Sequence, residues 1–367
     1  MAISTDKINL DEIIESSNID KLTPTWKKNS EDKLSFYLAG SIFSFGFLNI
    51  ACKIYPNLKY PLTTKLCSPI EAEFVCVKVL SETGKLKTIH ATVQKILNKG
   101  ENILISEIEC VRYYATKESN WVLTPISSAP KHFVKLFIRS NNSDESRNEL
   151  LFSMKSIYGP NRMSIPEISV FDILIKQMFS PFFIFQYFSV ILWCIEDYVA
   201  FSMVILVITI ASIYTNTSEE LYNLRRLHEL AGKPKKIRVL NDSDAIVSVF
   251  DFELAPGQRY LVDEDSILPC DSVLLNGRVV VDESMLTGES VLVSKTFFDT
   301  SNEPNTVDID LNKHSSHILF SGTKVKKLSP NSIAMVYRTG FRTTKGELLA
   351  CLLITKEENL GFFSDAL

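Results

Sequence analysis

The sequence Val279–Lys295, VVVDESMLTGESVLVSK, decides how the second half of the chain folds. It begins with three valines, which favour a β-strand, and returns to an apolar run after a short polar turn. Gly288 lies in that turn, and because glycine has no Cβ its backbone can take a positive φ and approach a phosphate closely. The turn would place the carboxylate of Glu289 at its tip.

Short strand-like segments surround this turn between residues 235 and 350. They are IRVL from Ile237, AIVSVF from Ala245, VLL from Val273, ILFSGTKV from Ile318 and SIAMVY from Ser332. Pro-Gly and Asn-Gly pairs between them indicate tight turns. We therefore predict one compact β domain over 235–350, with a polar surface loop at 299–316.

Two stretches without charge precede this domain, at 177–195 and 198–218, and only Glu196 and Asp197 separate them. As a helix each is about 28 Å long or more, which matches the hydrocarbon core of a bilayer. Basic residues collect outside both ends, so both outer ends should be cytosolic. The pattern predicts a transmembrane helical hairpin over 177–218, which Pro181 would start or kink. The alternative is a buried hairpin in a soluble protein.

Leucines recur every three residues after the hairpin and predict a stalk helix over 219–234. A third charge-free stretch, 34–52, is long enough to span, but Gly40, Gly46 and Asn49 dilute it. Lysines flank both of its sides and give no orientation. We predict a re-entrant or membrane-associated helix over 34–55, with a buried soluble helix as the alternative.

The first half of the chain also carries a strand pattern, over 70–140. Its segments are EFVCVKV from Glu73, TIHATVQKI from Thr88 and ILISEIECVRYY from Ile103. A turn at Thr83-Gly84-Lys85 would join the first two as a hairpin. We predict a small cytosolic β domain with a structural or regulatory role, followed by a linker over 141–176 that begins with the polar run Asn141–Glu149.

Composition and the chain start exclude several classes of protein. The net charge is −4 and the basic residues are scattered, which argues against a nucleic-acid partner. The seven cysteines are widely spaced and form no C-x-x-C pair, so neither a disulfide framework nor a zinc site is expected. Residues 1–33 form a polar N-terminus without the basic start and apolar core of a secretory signal.

Thr287-Gly288-Glu289-Ser290 resembles the TGES loop in the actuator domain of P-type ATPases. Four flanking turns are similar to the family's elements and occur in the same order, namely Pro256-Gly257-Gln258, Leu268-Pro269-Cys270-Asp271, Phe320-Ser321-Gly322-Thr323 and Thr339-Gly340-Phe341. Five ordered elements after a membrane hairpin make a specific match, whereas TGES alone would be weak.

Two further segments resemble the fifth class of this family. They are the hairpin sequence Ser180–Tyr198 and the motif Tyr158-Gly159-Pro160-Asn161. Cys270, Leu227-His228 and the single N-terminal apolar stretch are similar to its B branch, which is associated with polyamine export from late endosomes and lysosomes. The implied fold class is membrane-associated α+β, with a transmembrane helical hairpin and two cytosolic β-rich domains, the second an actuator domain.

By this resemblance the chain is the N-terminal portion of an ATP-driven cation or polyamine transporter. Glu289 would activate the water that hydrolyses an aspartyl phosphate, Gly288 would admit the phosphate, and Thr287 and Ser290 would hold the loop through local hydrogen bonds. The alternative is that Glu289 is only a solvated acid in a turn. ATP and Mg²⁺ would serve the complete family protein, with neither bound by this chain alone and no metal site of its own.

The implied partners are the lipid bilayer, the phosphorylation and nucleotide-binding domains, and the transported cation or polyamine. The implied location is a multi-pass endomembrane position, in a late endosome, lysosome or vacuole. Gln258 and Leu292 replace the family's usual aspartate and proline, and we expect looser turns there. The sequence has no Asp-Lys-Thr-Gly-Thr phosphorylation motif, and 351–367 would start the linker to a third membrane helix. A membrane-anchored regulatory module without catalysis is the competing hypothesis.

Overall fold

The computed structural model describes residues 22–364 apart from 45–46, 55, 81–85, 99–100, 118, 127–150, 152–153, 166, 168, 241–244, 300–308 and 312. The predictions on residues 1–21, the turn Thr83-Gly84-Lys85, the run Asn141–Glu149 and most of the loop 299–316 therefore lie outside the described residues. The chain divides into two compact units. One contains 25–90, 164–232 and 352–367, and the other contains 1–24, 91–163 and 233–351.

The first unit begins with three antiparallel strands in the order β2-β1-β3 and three short helices. Their bounds are β1 Thr25–Asn29, α1 Glu31–Phe43, α2 Phe47–Ile54, α3 Pro56–Thr63, β2 Thr64–Leu66 and β3 Phe74–Leu80. The stretch predicted as one membrane-associated helix over 34–55 forms two, α1 and α2. Ser44 lies at the end of α1, and its hydroxyl accepts a hydrogen bond from the amide of Leu48, in the first turn of α2, at 3.1 Å.

Three more helices follow in this unit, α4 Val170–Met178, α5 Pro181–Ile195 and α6 Val199–Ala231. Helix α5 begins at Pro181, so the proline starts the helix, where its missing N–H costs nothing. The predicted stalk is the end of α6 and no separate helix, and Gly232 terminates it with φ 91°. Helices α5 and α6 pack through polar contacts, for example Thr209 Oγ1 to Gln186 Oε1 at 3.0 Å.

In the described part of the chain, α6 alone is long and apolar enough to cross a membrane. Helices α4 and α5 pass the same test only as a pair, with a 57° bend between them. The predicted transmembrane hairpin is therefore not confirmed. Its turn lies where the sequence placed it, since Glu196 and Asp197 separate α5 from α6 and Asp197 takes a positive φ of 66°.

The second unit contains the antiparallel strands β5 Glu101–Ile108, β6 Val111–Ala115 and β7 Thr124–Pro125. Strand β4, Leu86–Asn98, begins in the first unit, where it lies next to β3 as the predicted hairpin requires, and pairs with β5 in the second. Ile103, Leu104 and Ile105 are buried in this sheet. The range 70–140 that the sequence predicts as one domain is divided between the two units, and its strands share one sheet with β1 and β2.

The rest of the second unit forms the β domain that the sequence predicts over 235–350. One antiparallel sheet has the order β14-β11-β16-β10-β8-β9 and a second has the order β13-β12-β15. The strands are β8 Lys236–Leu240, β9 Ile246–Phe250, β10 Arg259–Leu261, β11 Asp271–Asn276, β12 Arg278–Asp282, β13 Leu292–Thr296, β14 Ile318–Leu319, β15 Lys324–Leu328 and β16 Ile333–Arg338. Fully buried side chains of both sheets, among them Leu274 and Val281, share one core. Helix α7 is Ser284–Thr287, and α8, Thr344–Ser364, includes most of the predicted linker start.

Candidate catalytic loop

The predicted TGES loop joins β12 to β13 through the single helical turn α7. The carboxylate of Asp282 accepts a hydrogen bond from the Ser284 amide at 3.1 Å and starts the turn. Amides at its end close it, because Thr287 N donates to the Glu283 carbonyl at 3.0 Å and Gly288 N donates to the Ser284 carbonyl at 2.9 Å. The loop therefore has defined geometry from Asp282 to Gly288.

Gly288 has the left-handed conformation that the sequence predicts, with φ 78° and ψ −8°. A Cβ built on it would meet nothing within 4 Å. Conformation, and not crowding inside the domain, is what requires glycine here. The open space also leaves the backbone accessible to a ligand from outside.

Thr287 holds the loop locally, as predicted. Its hydroxyl donates to the Glu283 carbonyl at 3.2 Å and accepts from the Glu289 amide at 3.2 Å. The equivalent prediction for Ser290 is wrong, because its exposed side chain makes no hydrogen bond to any described residue.

Glu289 is exposed, and its carboxylate has no hydrogen bond or ion pair within the described part of the chain. Three apolar side chains close to it in sequence are also exposed, Met285 by 52%, Val291 by 61% and Leu292 by 56%. Exposed apolar side chains that lie together on a surface are typical of a site that contacts another protein. The loop thus carries both an exposed carboxylate and exposed apolar side chains.

A buried ion pair, which the sequence analysis missed, underlies this loop. Lys295 Nζ lies 2.7 Å from Glu283 Oε1, and their side chains are only 2% and 11% exposed. This contact lacks hydrogen-bond geometry, and Lys295 donates instead to the carbonyl of Ser315 at 2.8 Å. The available signal was a lysine within a predicted strand that follows an acid at the start of the turn.

Asp271, in the predicted Pro-Cys-Asp element, holds two other turns in place. One carboxylate oxygen accepts the Ser321 amide at 2.8 Å, and the other accepts the Thr344 amide at 2.8 Å and its hydroxyl at 3.1 Å. Burial raises the pKa of Asp271, while these donors and Arg338 at 3.7 Å act in the opposite direction. Burial also raises the pKa of the neighbouring Cys270 thiol to about 12, so Cys270 serves as a packing residue.

The looser turn expected at Pro256-Gly257-Gln258 is not observed. Gln258 Oε1 accepts the Ala255 amide at 3.3 Å, and the Gln258 amide donates to the Ala255 carbonyl at 3.1 Å. Gly257 takes φ 90° and donates to the carbonyl of Val336 at 2.8 Å. Glutamine therefore supplies the side-chain acceptor that the turn needs.

The described residues hold no group of three or more His, Cys, Asp and Glu side chains that could bind a metal ion.

Comparison with known proteins identifies the region that carries this loop. The family model described as the P-type ATPase actuator domain matches residues 232–352, which include the predicted domain 235–350. Polyamine-transporting ATPase 13A3 of Mus musculus is 36% identical over 232 residues, covering 58% of this chain and 18% of that protein. The vacuolar cation-transporting ATPase YPK9 of Saccharomyces cerevisiae is 34% identical over 222 residues, covering 57% and 15%.

A longer alignment extends the similarity beyond the matched domain. Probable cation-transporting ATPase 13A5 of Homo sapiens is 32% identical over 337 residues, covering 86% of this chain and 25% of that protein. The chain spans about a fifth of the length of the curated relatives that it matches. The resemblance to the B branch of class V agrees with these relatives.

Proposed function

Because residues 232–352 belong to the actuator-domain family of P-type ATPases, we propose that this chain supplies the actuator domain of an ATP-driven cation transporter. Glu289 acts in the dephosphorylation of an aspartyl phosphate on another domain. The observation that carries this proposal is the geometry of the loop, in which an exposed carboxylate with no hydrogen bond or ion pair to the described residues follows a glycine at φ 78°.

Glu289 would act as a general base. Its carboxylate takes a proton from a water molecule while the water oxygen bonds to phosphorus and the phosphorus–oxygen bond to the aspartate breaks. Inorganic phosphate and the free aspartate carboxylate are the products. Thr287 keeps the loop in place, Gly288 admits the phosphate, and Met285, Val291 and Leu292 contact the surface around it.

The substrate, location and membrane arrangement are parts of the same proposal. The names of the relatives support a cation, and for one of them a polyamine, as the transported substrate. The name of the yeast relative, a vacuolar ATPase, supports a membrane of an internal compartment. Helices α5 and α6 form the transmembrane hairpin, and α1 and α2 associate with the membrane through side chains such as Phe36 and Phe43, exposed by 80% and 89%. ATP and Mg²⁺ act on the phosphorylation and nucleotide-binding domains of the complete pump.

Replacement of Glu289 by glutamine in a complete pump tests the catalytic assignment. The pump is a chimaera in which this chain replaces the aligned part of a relative. Dephosphorylation should slow by about 10²–10⁴-fold, the usual contribution of a general base, while phosphorylation by ATP survives. The phosphoenzyme should therefore accumulate. The measurement is the rate at which the enzyme loses its label after phosphorylation by ATP labelled at the γ-phosphate.

Glu264→Gln is the matched control, since Glu264 is also exposed in a turn of the same domain. Its decay rate should equal that of the unaltered chimaera. If Glu289→Gln also decays at that rate, the loop is only a turn, and the chain fits the hypothesis of a membrane-anchored regulatory module better.

A further inference from the structure

Asn161 uses its whole side-chain amide to bind three separate turns of the actuator domain. Its Nδ2 donates to the carbonyls of Asp251 and Pro269, each at 3.1 Å, and its Oδ1 accepts from the amide of Gly340 at 2.9 Å. The backbone amide of Asn161 adds a fourth bond, to the carbonyl of Phe252 at 3.0 Å. Every donor and acceptor of the side chain points into that domain except one lone pair of Oδ1.

Gly340 is shaped for this contact. It takes φ 60°, and a Cβ built on it would lie 3.3 Å from the carbonyl oxygen of Arg162. A larger residue would therefore be strained in its backbone and would also press on the segment that carries Asn161. The two backbones approach each other closely where the hydrogen bond forms.

The residues just before Asn161 are held by the sheet of β5, β6 and β7. Arg112, on β6, donates through Nη1 to the carbonyl of Ile157 at 3.0 Å. Arg342, which follows Gly340 in the actuator domain and is buried, lies with its guanidinium carbon 5.2 Å from the ring centre of Tyr158. The segment 157–161 is thus fixed on one side by a strand of the N-terminal β region and on the other by the actuator domain.

We propose that Asn161 is a positioning residue, a clamp that attaches the actuator domain to the chain segment entering the membrane helices. The actuator domain is joined covalently to α6 through Gly232 and continues at its other end into α8. The segment that carries Asn161 continues instead into α4 at Val170. The clamp gives the domain a third attachment, which is non-covalent, and makes the sheet of β5, β6 and β7 move with it. Its use in transport rests on the proposed function, but the clamp itself does not.

Hydrogen exchange on the full 367-residue chain in detergent tests the clamp without any need for catalysis. Asn161→Leu should raise exchange about tenfold or more at Gly340, because its amide loses its acceptor. Exchange around Phe252 and along β6 should rise as much, because both are held by the segment 157–161 that the substitution releases. Asn161→Asp is the milder variant. Its carboxylate still accepts from the amide of Gly340 but has no donor for the carbonyls of Asp251 and Pro269. The exchange rate should therefore rise more around Phe252 and in β6 than at Gly340.

Asn276→Asp serves as the control, because Asn276 is exposed and its side chain donates, among the described residues, only to the carbonyl of Asn331 at 3.4 Å. It should leave exchange in β6 unchanged. If both Asn161 variants change the exchange rate at Gly340 but not in β6, the hydrogen bonds of Asn161 hold only a local turn. That result overturns the clamp. A variant that exchanges fast everywhere has unfolded, and the milder Asn161→Asp then decides between the two results.

The complete chimaera separates the role of Asn161 from that of Glu289. A phosphoenzyme that the actuator loop has not reached can still return its phosphoryl group to ADP, by reversal of its formation. Asn161→Asp should therefore accumulate phosphoenzyme that decays at least several-fold faster when ADP is added, whereas Glu289→Gln phosphoenzyme should not respond. If Asn161→Asp turns over ATP at the unaltered rate, the clamp has no part in the cycle, whatever the result for Glu289.

Discussion

Lys295 Nζ lies 2.7 Å from Glu283 Oε1, and this buried contact joins strand β13 to the start of the turn that presents Glu289. The same ammonium group donates to the carbonyl of Ser315 and lies 4.9 Å from the ring centre of Phe320. Burial of a lysine to 2% exposure is costly unless such partners surround it. The candidate catalytic loop is therefore anchored from inside the domain.

Lys295→Met should destabilise the actuator domain by about 3–5 kcal/mol, because it leaves the carboxylate of Glu283 buried without a counter-charge. Adding Glu283→Gln should recover part of that loss. Chemical denaturation of the chain, followed by the exchange of backbone amides within 232–352, measures both. Lys324→Met is the control, because Lys324 pairs with Asp265 at 3.3 Å on the surface and should cost less than about 1 kcal/mol. Equal costs at the two lysines would contradict this interpretation.

Asp271→Asn should weaken folding by about 2 kcal/mol, since an amide offers one acceptor where the carboxylate uses two. Either Ser321 or Thr344 then loses the acceptor of its backbone amide. Asp265→Asn, at an exposed position, provides the comparison and should change the free energy of unfolding by less than about 0.5 kcal/mol. A stable Asp271→Asn protein that has lost only its function would show that the carboxylate has a chemical role.

The sequence was sufficient for the parts of the fold that depend on local pattern. Alternating strands and the left-handed glycine at 288 follow from short-range sterics, and the turn at Glu196 and Asp197 follows from charge. The clamp at Asn161 and the pair Lys295 with Glu283 could not be found this way. Asn161 binds residues that are distant in sequence, and Lys295 and Glu283 are charged residues that a sequence pattern places on the surface. Only the packed domain brings these polar atoms together. The break between α1 and α2 was missed because the stretch without charge continues across it.

A cysteine introduced at Glu196 should test the membrane arrangement of α5 and α6. In a background without the native cysteines, Glu196→Cys should react with an impermeant maleimide only from the non-cytosolic side, because basic residues gather at both outer ends of the hairpin. Lys233→Cys, beyond the end of α6, should react only from the cytosolic side. Labelling of both positions from the same side would exclude a hairpin that spans the bilayer.

The stability of the N-terminal strands should fall as the pH decreases below 7, because of His90. Burial, and to a lesser extent Lys27, lowers the pKa of His90 from 6.5 to about 4. Its ring stacks on Tyr60 with 3.7 Å between centroids, and its Nδ1 is buried without a partner among the described residues. The unfolded chain therefore binds a proton between pH 6.5 and 4 that the folded chain does not, so the free energy of unfolding decreases as the pH falls through this range. With allowance for solvent screening at a half-buried site, the free energy of unfolding should be lower at pH 5 by about 1 kcal/mol.

His90→Phe tests this, because it keeps the stacked ring and removes the titration. The difference in melting temperature between the two proteins, measured at pH 7 and at pH 5, gives the contribution of His90 alone. A difference that stays constant between these pH values would show that His90 titrates normally in the folded protein.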